Sequence, residues 1–400
     1  MPSPPERRVA LRFGGHVHPV YREQLRAQPP GWRYEWDHPG LSDPAAGTKL
    51  VIGRSGRLGT LRERAEAVAL RALPAAGYVH RIRARPAPGV DLVHSAERLL
   101  WRSPVPYVLD LEHAELFVLY QRAAFERPWT RPVLERALLD ERLRFLLPWS
   151  DAARRSVLAY VSPDVARRLE PKLRVVHPAA TPAVERPRER TGGPLRVLFI
   201  GTKFDEKGAA EAIQAVRLAR ESLDVELDLV SYAPPRWERE LADEPGIRLH
   251  RPGGADVVRA LYARGDVLLF PSHMDTYGVV VGEAMASGLP VLAPRHLALT
   301  EMVHDERTGL LFPAENMLYG EDTRCVFRHT LPPPASYLEA LRHPSPAYVR
   351  GIADAIVRLA QDPALHATLA AGALESVRTG HLSMERRRSA LKEIYDAAAG

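Results

Sequence analysis

Two carboxylates that bracket a short loop are the side chains of this 400-residue sequence best placed for chemistry. Asp275 precedes a predicted helix over 279–287, and Glu283 lies inside that helix. At about 1.5 Å per helical residue, the two lie up to ~12 Å apart. Carboxylates bind hydroxyl groups, and a helix start offers free N–H groups and a positive dipole end for phosphate. The spacing therefore suits a ligand with hydroxyls at both ends and a diphosphate between them, such as a nucleotide-sugar.

The elements around this loop predict a parallel sheet. The apolar run 267–270 is typical of a strand that is buried on both faces, and 289–293 begins a second strand. The loop then lies at the carboxyl end of a strand, where open α/β sheets hold ligands. A plainer interpretation also fits these residues: Asp275 is only an N-cap and Glu283 only a solvated helix residue.

The stretch 267–293 resembles the donor-site signature of family 4 glycosyltransferases, which have the GT-B fold. That signature places two Glu residues inside PSxxExFGxxxxEAMAxGxPV. This sequence has Asp275 at the first Glu and Tyr277 at the Phe. It keeps Pro271, Ser272, Gly278, Glu283, Ala284, Met285, Ala286, Gly288, Pro290 and Val291.

The family's GR…KG element, whose cations hold the donor diphosphate, has a counterpart after the predicted strand 195–200. Lys207 matches the lysine, but Thr202 stands at the arginine position, with Lys203 beside it. Fixed positive charge here would stabilise the departing diphosphate. A solvated Lys207 at a helix start would instead oppose the helix dipole.

The first half of the chain resembles the family more loosely. The predicted strand 8–13 ends at Gly14 and Gly15, and the resemblance implies that a glycine-rich loop here faces the donor diphosphate; a simple turn is the alternative. The recurring order of a DxxH motif, a further strand and then a His is matched by 91–94 and His113. The resemblance makes His113 the residue of this half that contacts the transferred sugar.

The resemblance implies a set of site residues. Glu283 binds the ribose hydroxyls, Asp275 binds the donor sugar, and both are predicted catalytic residues together with His113 and Lys207. The predicted donor-binding residues are Gly15, Thr202, Lys203, Lys207, Asp275, Gly278, Val279, Val280 and Glu283.

We expect two doubly wound, Rossmann-like α/β domains that face a central cleft. The first, 1–183, binds the acceptor, and a charged, Pro- and Gly-punctuated linker follows at 184–194. The second, 195–380, binds the nucleotide-sugar donor. The last helix, within 381–400, is expected to pack back on the first domain, as in GT-B proteins.

The implied reaction is a retaining sugar transfer by front-face attack on a UDP- or GDP-linked donor, which is a substrate and not a cofactor. The acceptor is a glycan, a lipid-linked sugar or a small molecule. We expect no metal, because the sequence has no Asp-x-Asp motif. Two alternatives stay open: a catalytically silent sugar-nucleotide-binding partner, and a GT-B phosphorylase or sucrose-type synthase.

Composition predicts the cellular compartment of the protein and the class of its partners. The single Cys325, the absence of a secretory signal and the absence of ~18 consecutive apolar residues predict a cytoplasmic protein. The formal net charge of +6 favours anionic partners. A basic helix predicted at 60–73 suggests peripheral contact with anionic lipid, although a solvated charged face is the simpler interpretation. Nucleic-acid binding is not expected, because the arginines are scattered among acidic residues.

Overall fold

The chain forms two compact units. The computed structural model describes residues 6–13, 20–36, 78–190, 192–327 and 334–400. Unit 1 comprises Met1–Ala179, Gly320–Pro332 and Met384–Gly400, and unit 2 comprises Ala180–Tyr319 and Pro333–Ser383. The predicted second domain, 195–380, included the segment 320–332, which belongs here to unit 1. The segment 184–194, predicted as a linker, lies within unit 2.

Unit 1 is built on a parallel sheet. Its strands are β1 (Arg7–Phe13), β2 (Trp32–Trp36), β3 (Arg81–Ile82), β4 (Leu92–Ala96), β5 (Leu99–Leu100), β6 (Tyr107–Leu111) and β7 (Leu143–Pro148). Within the described residues, the main sheet has the order β2-β1-β4-β6-β7, and β3 pairs separately with β5. Before residue 170 the described part of this unit also contains the helices α1 (Val20–Arg26), α2 (Thr130–Leu138), α3 (Asp151–Ala159) and α4 (Pro163–Leu169).

The local sequence explains these elements. β4 and β6 are buried at every position, as expected for central parallel strands covered on both faces. Ser150 was predicted as a helix N-cap, and its side chain accepts a hydrogen bond from the N–H of Ala153 at the start of α3. The stretch 173–177 was predicted as a strand, and this prediction is wrong: it forms an isolated bridge between Leu173 and Leu146 and two backbone hydrogen bonds to β7, but no strand.

Unit 2 is also built on a parallel sheet. Its strands are β8 (Leu195–Lys203), β9 (Val225–Tyr232), β10 (Ile247–His250), β11 (Val267–Leu269), β12 (Val291–Pro294) and β13 (Gly309–Phe312), in the order β10-β9-β8-β11-β12-β13. Its helices are α5 (Ala209–Ala219), α6 (Pro235–Leu241), α7 (Ala255–Arg264), α8 (Val279–Ala286), α9 (Leu299–Met302), α10 (Ala335–Leu341), α11 (Pro346–Gln361) and α12 (Pro363–Arg378).

The helical stretch predicted over 351–377 is divided between α11 and α12. Asp362 separates them and caps α12 by accepting a hydrogen bond from the N–H of Leu365. Pro363 occupies the first helical position, where its missing N–H costs nothing but where it cannot continue the preceding helix. The two parallel sheets with their helices confirm the predicted α/β class with two Rossmann-like units.

The last helix, α13 (Met384–Ala399), belongs to unit 1. Its Tyr395 ring packs edge-on against Trp32, with centroids 5.3 Å apart, and its hydroxyl lies 2.5 Å from Nδ1 of His94. Arg387 on the same helix is buried against Asp110 of β6. None of the helices in the described part of the chain combines the length and apolar character needed to cross a bilayer.

Candidate functional site

The loop between β11 and α8 carries the predicted donor residues of unit 2. Gly278 is the N-cap of α8 and has φ 89°, a left-handed conformation that glycine adopts without steric cost. Asp275 is therefore not the N-cap, which removes the plainer interpretation of that residue. The first N–H groups of α8, from Val279 onward, have no acceptor within the helix. The loop thus presents backbone donors at the carboxyl edge of the sheet.

Lys207 and Asp275 form an ion pair in this loop region. The Lys207 Nζ lies 2.5 Å from Oδ2 of Asp275, and their side chains are only 21% and 18% exposed. Gly208, at φ 77°, keeps the two segments close: a Cβ at this position would lie 2.3 Å from the carbonyl oxygen of Pro271. The structure therefore brings together two of the predicted donor-site residues, which are 68 positions apart in the sequence.

Glu283 lies in the second turn of α8 and is exposed. Its Oε2 accepts a hydrogen bond of 3.0 Å from the hydroxyl of Tyr262, which lies in the last turn of α7. Burial of Tyr262, together with the nearby Glu283 carboxylate, raises the pKa of the Tyr262 hydroxyl well above its usual value. Tyr262 therefore stays a hydrogen-bond donor and fixes one oxygen of Glu283, while the side chain remains accessible to a ligand.

A buried histidine, which the sequence did not single out, holds the same loop in place. His273 contacts Glu211 of α5 through Nε2 and the carbonyl oxygen of Glu315 through Nδ1, each at 2.9 Å. Both His273 and Glu211 are almost fully buried. The loop backbone is also joined to Glu206 and Leu318 by hydrogen bonds. The position of His273, two residues before Asp275, was the available signal for its role in orienting the loop.

The other residues predicted to bind the donor lie at the end of β8, at the start of α8, or outside the described residues. Thr202 and Lys203 end β8 and are exposed, and Lys203 pairs with Glu206 at 2.6 Å. Val279 and Val280 form the half-buried start of α8. Gly15 and the basic helix predicted at 60–73 lie outside the described residues. Within the described part of the chain, no group of three or more His, Cys, Asp or Glu side chains has a geometry that suits a metal ion.

His113 follows β6 in unit 1 and is 2% exposed. Its Nε2 lies 2.9 Å from the carbonyl oxygen of Thr323, so Nε2 donates, and its Nδ1 accepts from the N–H of Glu115. Burial, with a smaller contribution from the positive charge of Arg122, lowers the pKa of His113 to about 4. The ring is therefore neutral at pH 7, and its predicted contact with the transferred sugar stays a prediction.

The lowered pKa of His113 gives a stability prediction. Between pH 6.5 and about 4, the unfolded chain binds a proton that the buried ring refuses, so acidification in this window destabilises unit 1. His113→Gln should remove up to about 3 kcal/mol of this pH-dependent loss. Urea unfolding at pH 7 and pH 4.5 measures it as the difference between wild type and variant. Equal losses in both proteins would contradict the buried neutral ring.

Comparisons with known proteins find similar sequences among glycosyltransferases. Residues 194–319 match the family model described as glycosyl transferases group 1. The chain is 25% identical over 238 residues to D-inositol 3-phosphate glycosyltransferase of Corynebacterium kroppenstedtii, covering 54% of this chain and 52% of the relative. It is 32% identical over 117 residues to the lipopolysaccharide glucosyltransferase WaaG of Escherichia coli, covering 28% and 31%. The chain thus spans about half, or less, of the length of these curated relatives.

Solved structures share the fold across nearly the whole chain. Anabaena HepE, crystallised with UDP and glucose, superposes with a TM-score of 0.57 and 14% identity, covering 98% of this chain and 100% of that protein. At this identity the likeness establishes the fold alone. The chain therefore has the GT-B fold, and its residues 194–319 are similar to group 1 glycosyl transferases.

Proposed function

We propose that this chain is a retaining, metal-independent family 4 glycosyltransferase that transfers a sugar from a UDP- or GDP-linked donor to an acceptor hydroxyl. The observation that carries the proposal is the Lys207–Asp275 pair at the carboxyl edge of the unit 2 sheet, inside the segment that matches group 1 glycosyl transferases. The names of the two curated relatives, both glycosyltransferases, support the same reaction class.

Lys207 and the start of α8 supply positive charge for the donor diphosphate. The Lys207 ammonium is a compact cation on a flexible stem, and the N–H groups of Gly278, Val279 and Val280 stand at the positive end of the helix dipole. In the structure the ammonium pairs with Asp275. A bound diphosphate competes for that ammonium, and its arrival releases the Asp275 carboxylate for the hydroxyls of the donor sugar.

Glu283 binds the ribose hydroxyls in this proposal. A carboxylate oxygen accepts two hydrogen bonds, so Oε2 can keep its bond to Tyr262 while the group receives the two vicinal hydroxyls of a ribose. Asp275 is one methylene shorter than the Glu of the resembled signature, which favours a sugar whose recognised hydroxyls lie closer to the loop.

The chemical step exchanges one bond at the anomeric carbon for another on the same face of the sugar. The bond from that carbon to the diphosphate oxygen breaks, and the acceptor oxygen forms the new bond. The acceptor proton moves to the departing diphosphate oxygen. Lys207 and the α8 amides stabilise the negative charge that develops on the diphosphate, which is a major source of catalysis when the donors are already in place.

Three further expectations belong to this proposal and depend on the resemblance. His113 contacts the transferred sugar, and Gly15 faces the diphosphate from the glycine-rich loop after β1. The acceptor is a glycan, a lipid-linked sugar or a small molecule. A cytoplasmic location with peripheral contact to anionic lipid is expected from the composition and from the basic helix predicted at 60–73.

A thermal-shift screen tests donor binding. UDP, GDP, ADP and their glucose or mannose conjugates are added at 1 mM or at a concentration about 100 times the Kd, where binding stabilises the folded state by about 2.7 kcal/mol. For a domain of roughly 150–250 residues, we expect the melting temperature to rise by about 5–10 °C with one nucleotide class. No shift with any nucleotide diphosphate would contradict the proposal.

The alternatives give different outcomes in the assay that follows the screen. Release of the nucleoside diphosphate is measured with the stabilising donor and a panel of acceptors. Donor binding without turnover would identify a silent binding partner, which the departures at Thr202 and Asp275 make the main competitor. Turnover that requires inorganic phosphate or free fructose as acceptor would identify a phosphorylase or a sucrose-type synthase.

A further inference from the structure

A buried histidine–glutamate pair joins the loop after β11 to α5. The Nε2 atom of His273 lies 2.9 Å from Oε1 of Glu211, and the two side chains are 1% and 2% exposed. The Nδ1 atom of His273 lies 2.9 Å from the carbonyl oxygen of Glu315. The second carboxyl oxygen of Glu211, Oε2, is buried and has no hydrogen-bond partner among the described residues. Glu211 is therefore a buried acidic group whose side chain depends on His273 for its hydrogen bond.

The hydrogen-bond geometry requires a proton between the two side chains. A carbonyl oxygen only accepts hydrogen bonds, so Nδ1 of His273 carries a hydrogen and donates it to Glu315. Nε2 and the facing oxygen of Glu211 can bond only if one of them carries a hydrogen as well. The ring and the carboxyl group together are therefore electrically neutral. A neutral, hydrogen-bonded pair can be buried at much lower cost than an isolated carboxylate.

His273 also fixes the backbone of the loop. Its N–H donates to the carbonyl oxygen of Glu206 at 3.1 Å, and its own carbonyl oxygen accepts from the N–H of Leu318 at 2.9 Å. Glu206 directly precedes Lys207, and His273 stands two residues before Asp275. Hydrogen bonds from both the ring and the backbone of His273 therefore hold the loop against the segment that carries Lys207.

We propose that His273 and Glu211 are positioning residues for the donor diphosphate, which set the distance between the Lys207 ammonium and the loop that carries Asp275. This inference rests on the proposed function, in which Lys207 binds the diphosphate. The Lys207–Asp275 ion pair is partly exposed, and such pairs contribute little to stability, so this contact alone does not fix the loop. The buried pair supplies the rigid support that a binding site needs.

Three variants separate the position of the loop from the stability of the fold. In Glu211→Gln the amide N–H donates to Nε2 of His273, so the ring keeps all its hydrogen bonds. Glu211→Met has a side chain of similar length but leaves Nε2 buried without a partner. In Glu211→Met/His273→Phe both partners are apolar, which restores much of the stability but not the hydrogen bonds that hold the loop.

Calorimetric titration and hydrogen–deuterium exchange test the inference. Wild type, the three variants and the control Arg217→Met are titrated with UDP, GDP and ADP, and urea unfolding gives the stability of each protein. Arg217 lies on the same helix, α5, and its Nε donates to Glu244 at 3.0 Å, so the control removes a different contact of that helix. Exchange of the amides of residues 271–278 reports on the loop without any ligand.

For the nucleoside diphosphate that binds wild type, we expect Glu211→Gln and Arg217→Met to keep the wild-type Kd. Glu211→Met and the double variant should raise the Kd about tenfold or more, as expected when a hydrogen bond to a charged group is weakened. The double variant should do so even though its stability exceeds that of Glu211→Met. The amides of 271–278 should exchange faster in both of these variants than in wild type and Glu211→Gln.

A wild-type Kd for the double variant would overturn the inference, as would a Kd for Glu211→Gln as high as that of Glu211→Met. Unchanged exchange of the loop amides in the double variant would do the same. If Glu211→Met does not fold, the double variant and Glu211→Gln carry the comparison. Failure of wild type to bind UDP, GDP and ADP would instead reject the proposed function, while the exchange rates would still decide whether the pair holds the loop.

Discussion

Lys207→Met should reduce the rate of sugar transfer by about 100- to 1,000-fold, the usual loss when one group that stabilises a developing anion is removed. Methionine keeps most of the length and the apolar stem but removes the ammonium that pairs with Asp275. The loss should appear mainly in kcat, because the charge on the diphosphate grows as the donor bond breaks. Steady-state release of the nucleoside diphosphate measures kcat and KM for the donor.

The matched control is Arg248→Met, which removes a cation of the same unit from a surface ion pair with Glu226. We expect its kcat and KM to equal those of wild type. Lys207→Arg should recover part of the rate, since it restores the charge without the compact geometry. Wild-type turnover by Lys207→Met would show that the diphosphate is held elsewhere and would remove the basis of the proposed mechanism.

Arg387→Met should destabilise unit 1 by about 3–5 kcal/mol, the loss expected when one partner of a buried ion pair is removed. Arg387 Nη2 lies 2.7 Å from Oδ2 of Asp110, and both side chains are almost fully buried. Burial alone would raise the pKa of Asp110, but Arg387 and His94 outweigh it and lower that pKa. The substitution therefore leaves a buried carboxylate without its main counter-charge.

Tryptophan fluorescence during urea unfolding reports this change, because only Trp237 of the six tryptophans lies in unit 2. Lys392→Met, which breaks the exposed pair with Asp396 on the same helix, should change the stability by less than about 0.5 kcal/mol. The double variant Asp110→Asn/Arg387→Met should recover part of the loss. An Arg387→Met stability within 1 kcal/mol of wild type would show that the pair contributes little.

Much of the fold follows from local patterns in the sequence. Short apolar runs such as 267–270 predict strands because only covered parallel strands bury both faces, and the structure places β11 there. Boundaries were predictable where one residue decides them, as Ser150 does for α3. Boundaries were not predictable where tertiary pairing decides them. The stretch 173–177 has strand-like composition, and the N–H groups of Arg174 and Val176 bond to β7, yet it forms only an isolated bridge and no strand.

The candidate site was predictable only in part, for a physical reason. Lys207 and Asp275 stand in segments with recognisable patterns, and their contact follows from those patterns. Tyr262 and His273 carry no such pattern, because the burial and the partners of a side chain depend on distant segments.

The polypeptide crosses between the two units several times, which limits where the protein can be truncated. The polypeptide passes from one unit to the other at 179/180, 319/320, 332/333 and 383/384. A fragment that stops at residue 179 would lack α13, leaving the Trp32 ring and the Asp110 carboxylate without their partners on that helix. A hybrid protein that exchanges unit 1 of this chain must therefore transplant three separate stretches of sequence, and a single fusion junction would yield an incomplete unit 1.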